Sequence, residues 1–495
     1  MKTTCSLLIA LLLAVFSVVL PASADHMIMI NEDLEPKTQS ETLEMVSAAT
    51  NAYYHDEELA AELKEEIGLK EIKNPYDEES AETMTLGSLT HQDQSIWFLM
   101  DVIGEPDQNG RYPLYITLHG GGEAENPEDN DSQWMSMYYY YRSSVKNGIY
   151  IACRGITDTW DLHFRPESYP LYDRLIQEMI YQYHADPNRV YLLGFSAGGD
   201  GVYQIAARMA ERFAAVNMSS GHPNGVSLRN LANCPISIQV GVRDYYTEDA
   251  MRCIRGAEFD QVLKEYHDQL NYGYEHQVLV HVPEGHNYLD NGEEDAEVLV
   301  DPAAYADPSI VEAMMSSFQD ALAATEGSDD VMTLSYNSDG VNAQFDQAVR
   351  KIVTEEFNLK TKRVDCNAVN YVSQFTRNPA PNVIVWDLGT RAASRDEDSF
   401  YWLKTEKSVT EGTITAIVNS EENKVTITPE NVNGDFSILV NPILLDVSRP
   451  IRIVTPEGEY EVHVRPSEET LLSSMKKTGD PLLAWVAEIP YSMIH

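Results

Sequence analysis

The sequence predicts an α/β fold, a mostly parallel sheet covered by helices on both faces, followed by a β-rich, sandwich-like C-terminal region. Between Ile96 and Val282, short apolar runs bounded by turn residues alternate with segments of helical period, the pattern of strands joined by crossover helices. One junction in this stretch is a glycine-rich turn, Gly194-Phe195-Ser196-Ala197-Gly198-Gly199, set between the apolar run Val190 to Leu193 and the helix-like run Val202 to Phe213. Beyond about Glu326 the texture changes to apolar–polar alternation punctuated by Asn, Gly, Pro and acidic turns, which is the period of half-buried strands.

Taken in order, the chain begins with a segment that reads as an export signal. Lys2 supplies the positive end, Leu7 to Leu20 the apolar stretch and Ala22-Ser23-Ala24 a small-residue cleavage site, so a mature chain is expected to start near Asp25. Cys5 precedes the apolar run and does not read as a lipid attachment site. No later stretch is long and apolar enough to span a bilayer, so a secreted or periplasmic protein is expected. Residues 25–85 read as an acidic helical arm, with Leu59, Leu63 and Ile67 on one face and Gly68 placed to end the helix.

Residues 86–325 read as a catalytic domain. Ile96 to Ile103, Leu114 to Leu118 and Ile149 to Cys153 are strand-like, and Leu171, Leu175 and Met179 give a core-facing helix ahead of the turn Asp186-Pro187-Asn188-Arg189. After the serine turn come strands at Ala214 to Met218, Ile236 to Val240 and Gln277 to Val282, with a helix around Phe259 to Leu270. Residues 326–495 form the β-rich region, with strands expected at Thr413 to Val418, Lys424 to Thr428, Phe436 to Val440, Ile451 to Val454 and Tyr460 to Val464. A helix-like run from Phe345 to Phe357 precedes them.

The turn at 194–199 has the G-x-S-x-G spacing that swings a serine sharply from strand to helix, with glycines relieving the crowding and the hydroxyl held outward. A serine nucleophile needs a base, and the base an orienting acid, here in the order serine, acid, histidine on loops after successive strands. Asp244 follows one strand in Gly241-Val242-Arg243-Asp244, and His286 follows the next in Pro283-Glu284-Gly285-His286. Asp249 and Asp290 are rival acids and His281 a rival base, but His281 sits inside a strand-like run, where a structural role is commoner. His119-Gly120-Gly121-Gly122 follows the Leu114 to Leu118 strand, so the Gly121 and Gly122 amides, with that of Ala197, are the candidate oxyanion donors.

These residues resemble secreted α/β-hydrolase esterases of the polyhydroxybutyrate depolymerase and feruloyl or acetylxylan esterase type. The similarity lies in Leu118-His119-Gly120-Gly121-Gly122, in Asp186 to Tyr191 running into the serine turn, in Asn233-Cys234-Pro235 leading to Asp244, and in Gly285-His286, together covering roughly residues 95 to 290. The resemblance implies an α/β-hydrolase fold, a Ser196, Asp244 and His286 triad, and ester cleavage without metal or cofactor. The chain also looks somewhat like the catalytic domain of prolyl oligopeptidase relatives, which makes a serine peptidase the alternative enzyme. An inactive secreted glycan-binding protein is the alternative from another class.

His119, Trp134 and Trp160 are candidate substrate contacts at predicted sheet ends, although the Trp134 and Tyr138 to Tyr141 stretch suits a core-packing helix equally. The acidic run Glu125 to Asp131 reads as a solvated loop, and Phe400-Tyr401-Trp402-Leu403 as core. With 78 acidic against 35 basic residues, the net charge is −43, which repels phosphate backbones and anionic lipid and disfavours nucleic-acid, membrane-surface and strongly anionic partners. A neutral small-molecule or polysaccharide-linked ester fits this field better. Of the four cysteines beyond the export signal, Cys153 lies in an apolar run and reads as a buried thiol, whereas Cys234 and Cys253 are the first pair to consider for a disulfide. No Cys or His spacing suggests a metal site.

Overall fold

The computed structural model describes residues 27–74, 83–122, 127–244, 251–292, 294–324, 342–392, 394–395 and 398–494. The export segment read at 1–24 lies outside them. The α/β expectation holds. Among the described residues the large sheet has eleven strands, in the order Thr361–Val364, Ala296–Leu299, His276–His281, Ile236–Gly241, Ala215–Ser219, Ala185–Phe195, Tyr112–Leu118, Gly148–Cys153, Gln94–Ile103, Thr83–His91 and Ile67–Lys73. The run from His276–His281 to Gly148–Cys153 is parallel, and antiparallel strands extend it at both edges. This is the α/β-hydrolase arrangement, with a β-rich C-terminal region beside it.

The strand order reverses at Tyr112–Leu118. The chain steps to one side for Gly148–Cys153 and then to the other for Ala185–Phe195, so a crevice opens between the C-terminal ends of Tyr112–Leu118 and Ala185–Phe195. The glycine triplet and Ser196 leave the sheet at those two ends.

Period two sorts side chains to the two faces. Leu114, Ile116, Leu118, Ile149 and Ile151 join one core with the helices Ser168–Gln182, Ala197–Arg208 and Arg252–Leu270. Tyr115, Tyr150, Ala152, Tyr191 and Leu193 join the other core with the helix Pro127–Tyr140 and the short helix Ala368–Val372. The sheet is therefore buried on both faces, as continuous apolar strands require.

Three expectations about organisation need correction. The segment 25–85 is not wholly helical: Thr38 and Glu41 form a capping box for Gln39–Tyr53, and Asp56 caps Glu57–Glu66, but that second helix stops before Gly68. Ile67 is already extended, and Ile67–Lys73 becomes the edge strand against Thr83–His91. Further toward the N-terminus, Ile28–Ile30 pairs in parallel with Val462–Val464, so the start of the arm belongs to a C-terminal sheet. The boundary at 325/326 also cuts a continuous unit, because Thr361–Val364 pairs with Ala296–Leu299 and Cys366 accepts a hydrogen bond at its carbonyl from Gln239.

Among the described residues the C-terminal region holds two sheets. One has six strands in the order Ile28–Ile30, Gly458–Val464, Ile451–Thr455, Lys424–Glu430, Thr413–Asn419 and Val383–Asp387; the other has four, Ser399–Phe400, Leu403–Thr405, Phe436–Val440 and Ala487–Pro490. Phe400, Tyr401, Trp402 and Leu403 are buried, as their run suggested.

A buried ionic cluster fastens this region to the α/β unit. Arg377 pairs with Asp480 at 2.7 Å and donates to the Glu211 carbonyl at 2.8 Å, Arg395 reaches Asp173 at 2.7 Å and Glu211 at 2.6 Å, and Arg212 lies 3.7 Å from Asp480 and donates to the Thr478 carbonyl. Cys153, Cys234, Cys253 and Cys366 are all buried and free, so the Cys234 and Cys253 pairing is corrected. Both of those thiols are packed among core side chains, and spacing alone did not fix their separation.

Candidate active site

The strand Ala185–Phe195 ends at Ser196, whose backbone takes φ 59° and ψ −122°, and the helix Ala197–Arg208 starts at the next residue. A non-glycine residue there is strained by about 1–3 kcal/mol, and the surroundings hold it. The Ser196 N–H donates to the Ser219 carbonyl at 2.9 Å on the neighbouring strand. The turn also demands closeness: a Cβ on Gly198 would sit 2.0 Å from the Leu118 carbonyl oxygen, inside any tolerable contact.

His286 stands on the loop after His276–His281. Its Nε2 is 2.9 Å from Ser196 Oγ, and its Nδ1 is 3.0 Å from each oxygen of Asp244, which follows Ile236–Gly241. With the Nδ1 hydrogen donated to Asp244, Nε2 is left to accept the serine proton. Both His286 and Asp244 are buried. Burial alone would raise the Asp244 carboxyl, but the His286 and Arg252 charges outweigh it and hold the group below the usual carboxylate range; Arg252 Nη1 is 3.6 Å away. Asp244 therefore stays anionic beside the ring.

The rivals are elsewhere. His281 faces the Gln239 side-chain oxygen at 2.9 Å and stacks on Tyr288 with centroids 4.2 Å apart, and burial pushes its pKa down to about 3. Asp290 accepts from Tyr141 and Ser219. Asp249 lies outside the described residues.

The glycine loop is built differently from the expectation. Gly121 and Gly122 take φ of 105° and 102°, open to glycine and strained for other residues, but the Gly122 N–H donates to Asn130 Oδ1 at 2.7 Å. That amide is spent inside the loop, which corrects Gly122 as a free oxyanion donor. The amides of Gly121 and Ala197 have no acceptor among the described residues.

Of the expected substrate contacts, two are structural. His119 is fully buried; its Nε2 accepts from the Gly155 N–H at 3.1 Å, so its Nδ1–H donates to the Gly120 carbonyl at 2.5 Å, and burial holds the ring neutral. It pins the glycine loop rather than meeting substrate. Trp134 donates its indole N–H to the Ala152 carbonyl at 2.8 Å and packs on the sheet. Trp160 is different. It is 57% exposed, rests edge-on against Phe164, and its Cα lies 2.7 Å from where a Cβ on Gly122 would be. It stands at the rim of the glycine loop.

Sequence reasoning missed Asn130, Arg252 and the pair Ser219 and Ser220. Asn130 falls at the end of the acidic run read as a loop, on the helix Pro127–Tyr140, and only its i−8 partner Gly122 reveals its role. Beside the site lies a cavity of about 710 Å³ whose lining includes the apolar Phe195, Tyr140, Tyr288 and Leu289 and the charged Glu284, Glu297, Arg350 and Arg363. It adjoins the site through Phe195 and Asn287, while Ser196 and His286 do not line it. Among the described residues no group of three or more His, Cys, Asp or Glu is arranged to hold a metal, and no helix is long and apolar enough to cross a membrane.

No protein-family model matches the chain. The chain is similar to a bifunctional acetylxylan esterase/xylanase of Neocallimastix patriciarum, 30% identical over 114 residues that make up 23% of this chain and 16% of that protein. It is also similar to a probable feruloyl esterase C of Aspergillus niger, 27% identical over 139 residues, 28% of this chain and 50% of that one. The chain thus spans half or less of the length of these curated relatives. Among solved structures it is similar to a poly(3-hydroxybutyrate) depolymerase from Bordetella parapertussis, with TM-score 0.33, 16% identity and coverage of 42% of this chain and 86% of that one. An acetyl xylan esterase from Paenibacillus sp. R4 gives TM-score 0.29, 12% identity, and 45% and 84% coverage. The relatives fall in the esterase group that the motifs resemble.

Proposed function

We propose that this chain is a serine hydrolase that cleaves carboxylic esters through an acyl-enzyme on Ser196. The observation that carries the reading is the unbroken line from Ser196 Oγ to His286 at 2.9 Å and from His286 to Asp244 at 3.0 Å, at the C-terminal end of a parallel sheet. His286 Nε2 takes the Ser196 proton as Oγ attacks the ester carbonyl carbon. Asp244 holds the imidazole tautomer and stabilises its charged form without taking the proton. The Gly121 and Ala197 amides stabilise the oxyanion, and the tetrahedral intermediate collapses as His286 returns the proton to the departing alcohol. Water then repeats the sequence on the acyl-enzyme and releases the acid.

The proposed substrate is a neutral ester, small or linked to a polysaccharide. The likeness to an acetylxylan esterase and a feruloyl esterase supports acetyl and feruloyl groups, the net charge of −43 disfavours anionic ones, and Trp160 offers an aromatic face at the rim for a sugar or phenolic ring. We further propose export, on the charged, apolar and small-residue order of residues 1–24.

A fluorophosphonate probe is expected to label the wild type at Ser196 and to leave Ser196→Ala unlabelled. In parallel, 4-nitrophenyl acetate and methyl ferulate are turned over by the wild type alone. Folded protein that takes no label sinks the reading. Turnover of peptide amides at rates comparable to esters redirects it to a peptidase, and glycan binding without ester turnover to a non-catalytic protein.

A further inference from the structure

Asp290 is a buried carboxyl that the proposed mechanism does not use, linked to Ser196 through Ser219. It is fully buried, four residues past His286, and its Oδ2 accepts from Tyr141 Oη at 2.6 Å, from Ser219 Oγ at 2.5 Å and, more distantly, from Asn217 Nδ2 at 3.4 Å. Its Oδ1 has no hydrogen-bond partner and no cation pairs with it among the described residues. A carboxyl buried among neutral donors is an expensive way to fill space, since a hydrocarbon or an amide would avoid the desolvation. A role in placing its neighbours explains why a group of this kind stands there.

Those neighbours are the supports of the nucleophile and the base. The Ser219 carbonyl accepts the Ser196 N–H at 2.9 Å, a bond that anchors the strained serine to the adjacent strand. The next residue, Ser220, donates its hydroxyl to the His286 carbonyl at 2.7 Å and its N–H to Tyr288 Oη at 3.1 Å, and Tyr288 in turn donates to the Gln239 carbonyl at 2.6 Å. Ser220 itself has φ of 50°, so this two-residue turn is held by its hydrogen bonds rather than by backbone preference. Ser219 and Ser220 are thus a shared shelf under Ser196 and His286, and Asp290 grips the Ser219 side chain from below.

We propose that Asp290 is a positioning residue for the ester-hydrolase site: through Ser219 it sets the register between Ser196 and His286. The Asp290 carboxyl presents one acceptor oxygen toward Tyr141 and Ser219, and an amide oxygen at the same place can accept the same two bonds. Burial raises the Asp290 group above the usual carboxylate range against the pull of the Ser219 and Tyr141 hydrogen bonds.

This inference rests on the ester-hydrolase reading, and the test separates the two. With 4-nitrophenyl acetate, Asp290→Ala is expected to lower kcat about 10- to 100-fold with KM within about twofold of wild type, because alignment rather than binding is lost. Asp290→Asn restores kcat to within about threefold. Ser219→Ala, a change small enough to fold whatever Asp290→Ala does, lowers kcat in the same way, and the double variant is no worse than the poorer single one, since both break the same link. Wild-type kcat in Asp290→Ala or in Ser219→Ala, multiplying losses in the double variant, or an Asp290→Asn as impaired as Asp290→Ala overturns the positioning role alone. Ester turnover that survives in Ser196→Ala overturns the hydrolase reading and this inference with it.

Discussion

Two buried charged assemblies lie in this molecule, and they are built on opposite principles. At the interface between the α/β unit and the C-terminal sheets, Arg212, Arg377 and Arg395 face Asp173, Glu211 and Asp480, cation against anion, with further bonds from the guanidinium groups to the Thr478, Glu211 and Arg208 carbonyls. At the candidate active site Asp244 has the His286 ring at 3.0 Å and one arginine at 3.6 Å, and Asp290 has neutral donors. The interface cluster is balanced and multiply bonded, so it resists change. The site instead sets one anionic carboxylate beside a ring that, in the proposed mechanism, takes up and returns the serine proton. The comparison also bears on the C-terminal region: a region joined through a buried ionic cluster and sharing a core with the α/β unit is part of its frame.

The comparison breaks first at Asp244. Asp244→Asn keeps the shape but favours the wrong tautomer of His286, and kcat for a model ester is expected to fall about 10,000-fold with the thermal unfolding midpoint little changed. A loss of only a few fold would mean that the base does not depend on this acid. At the interface the effects reverse. Asp480→Ala leaves Arg377 and Arg212 buried without their carboxylate and is expected to cost about 3–5 kcal/mol in denaturant unfolding, while kcat per folded molecule stays near wild type. If unfolding then splits into two transitions, the C-terminal region is less firmly integrated than its contacts imply.

The smallest effect is in acid. His281, buried beside the site and held to about 3, binds a proton in the unfolded chain at about 6.5. A histidine lowered in this way contributes stability that is complete above about pH 6.5 and drains as pH falls toward 3, up to roughly 2 kcal/mol by pH 5. Asp480, held low by Arg377 and Arg212 against burial, gives its contribution above about pH 3.9 and loses it only below. Between pH 7 and 5 the site side therefore softens before the interface does, and His281→Gln should flatten the stability slope over that range relative to wild type. An unchanged slope would show that His281 is not held neutral.

Much of this was written locally in the chain. The serine turn, the acid and histidine after successive strands and five tail strands each carry their signal within a dozen residues, and the structure brings Ser196, Asp244 and His286 within hydrogen-bonding reach. What sequence did not reveal is what depends on distant partners. Ile28–Ile30 is three residues long and has no period to read. Asn130 looked like one polar residue in an acidic run until the Gly122 amide was seen to need an acceptor. Asp290 looked like a competing acid, and only its place under Ser219 distinguishes support from competition. His119 and Trp134 failed as substrate contacts for a related reason: position at a strand end says which residues are near the crevice, but not whether the backbone has already claimed their polar atoms.

The pairing of Ile28–Ile30 with Val462–Val464, reinforced by the Asn31 side chain on the Arg465 carbonyl 434 positions away, has a consequence for the order of assembly. During synthesis the first strand of that sheet emerges early and has no edge to join. It must wait, solvated, until its partner strand has followed, because a contact of such long range can reward closure only after both ends exist. The α/β unit can collapse around local strand pairs in the meantime, but this joint is made by a strand from near the start of the chain, and a nascent chain arrested short of residue 464 would leave it open.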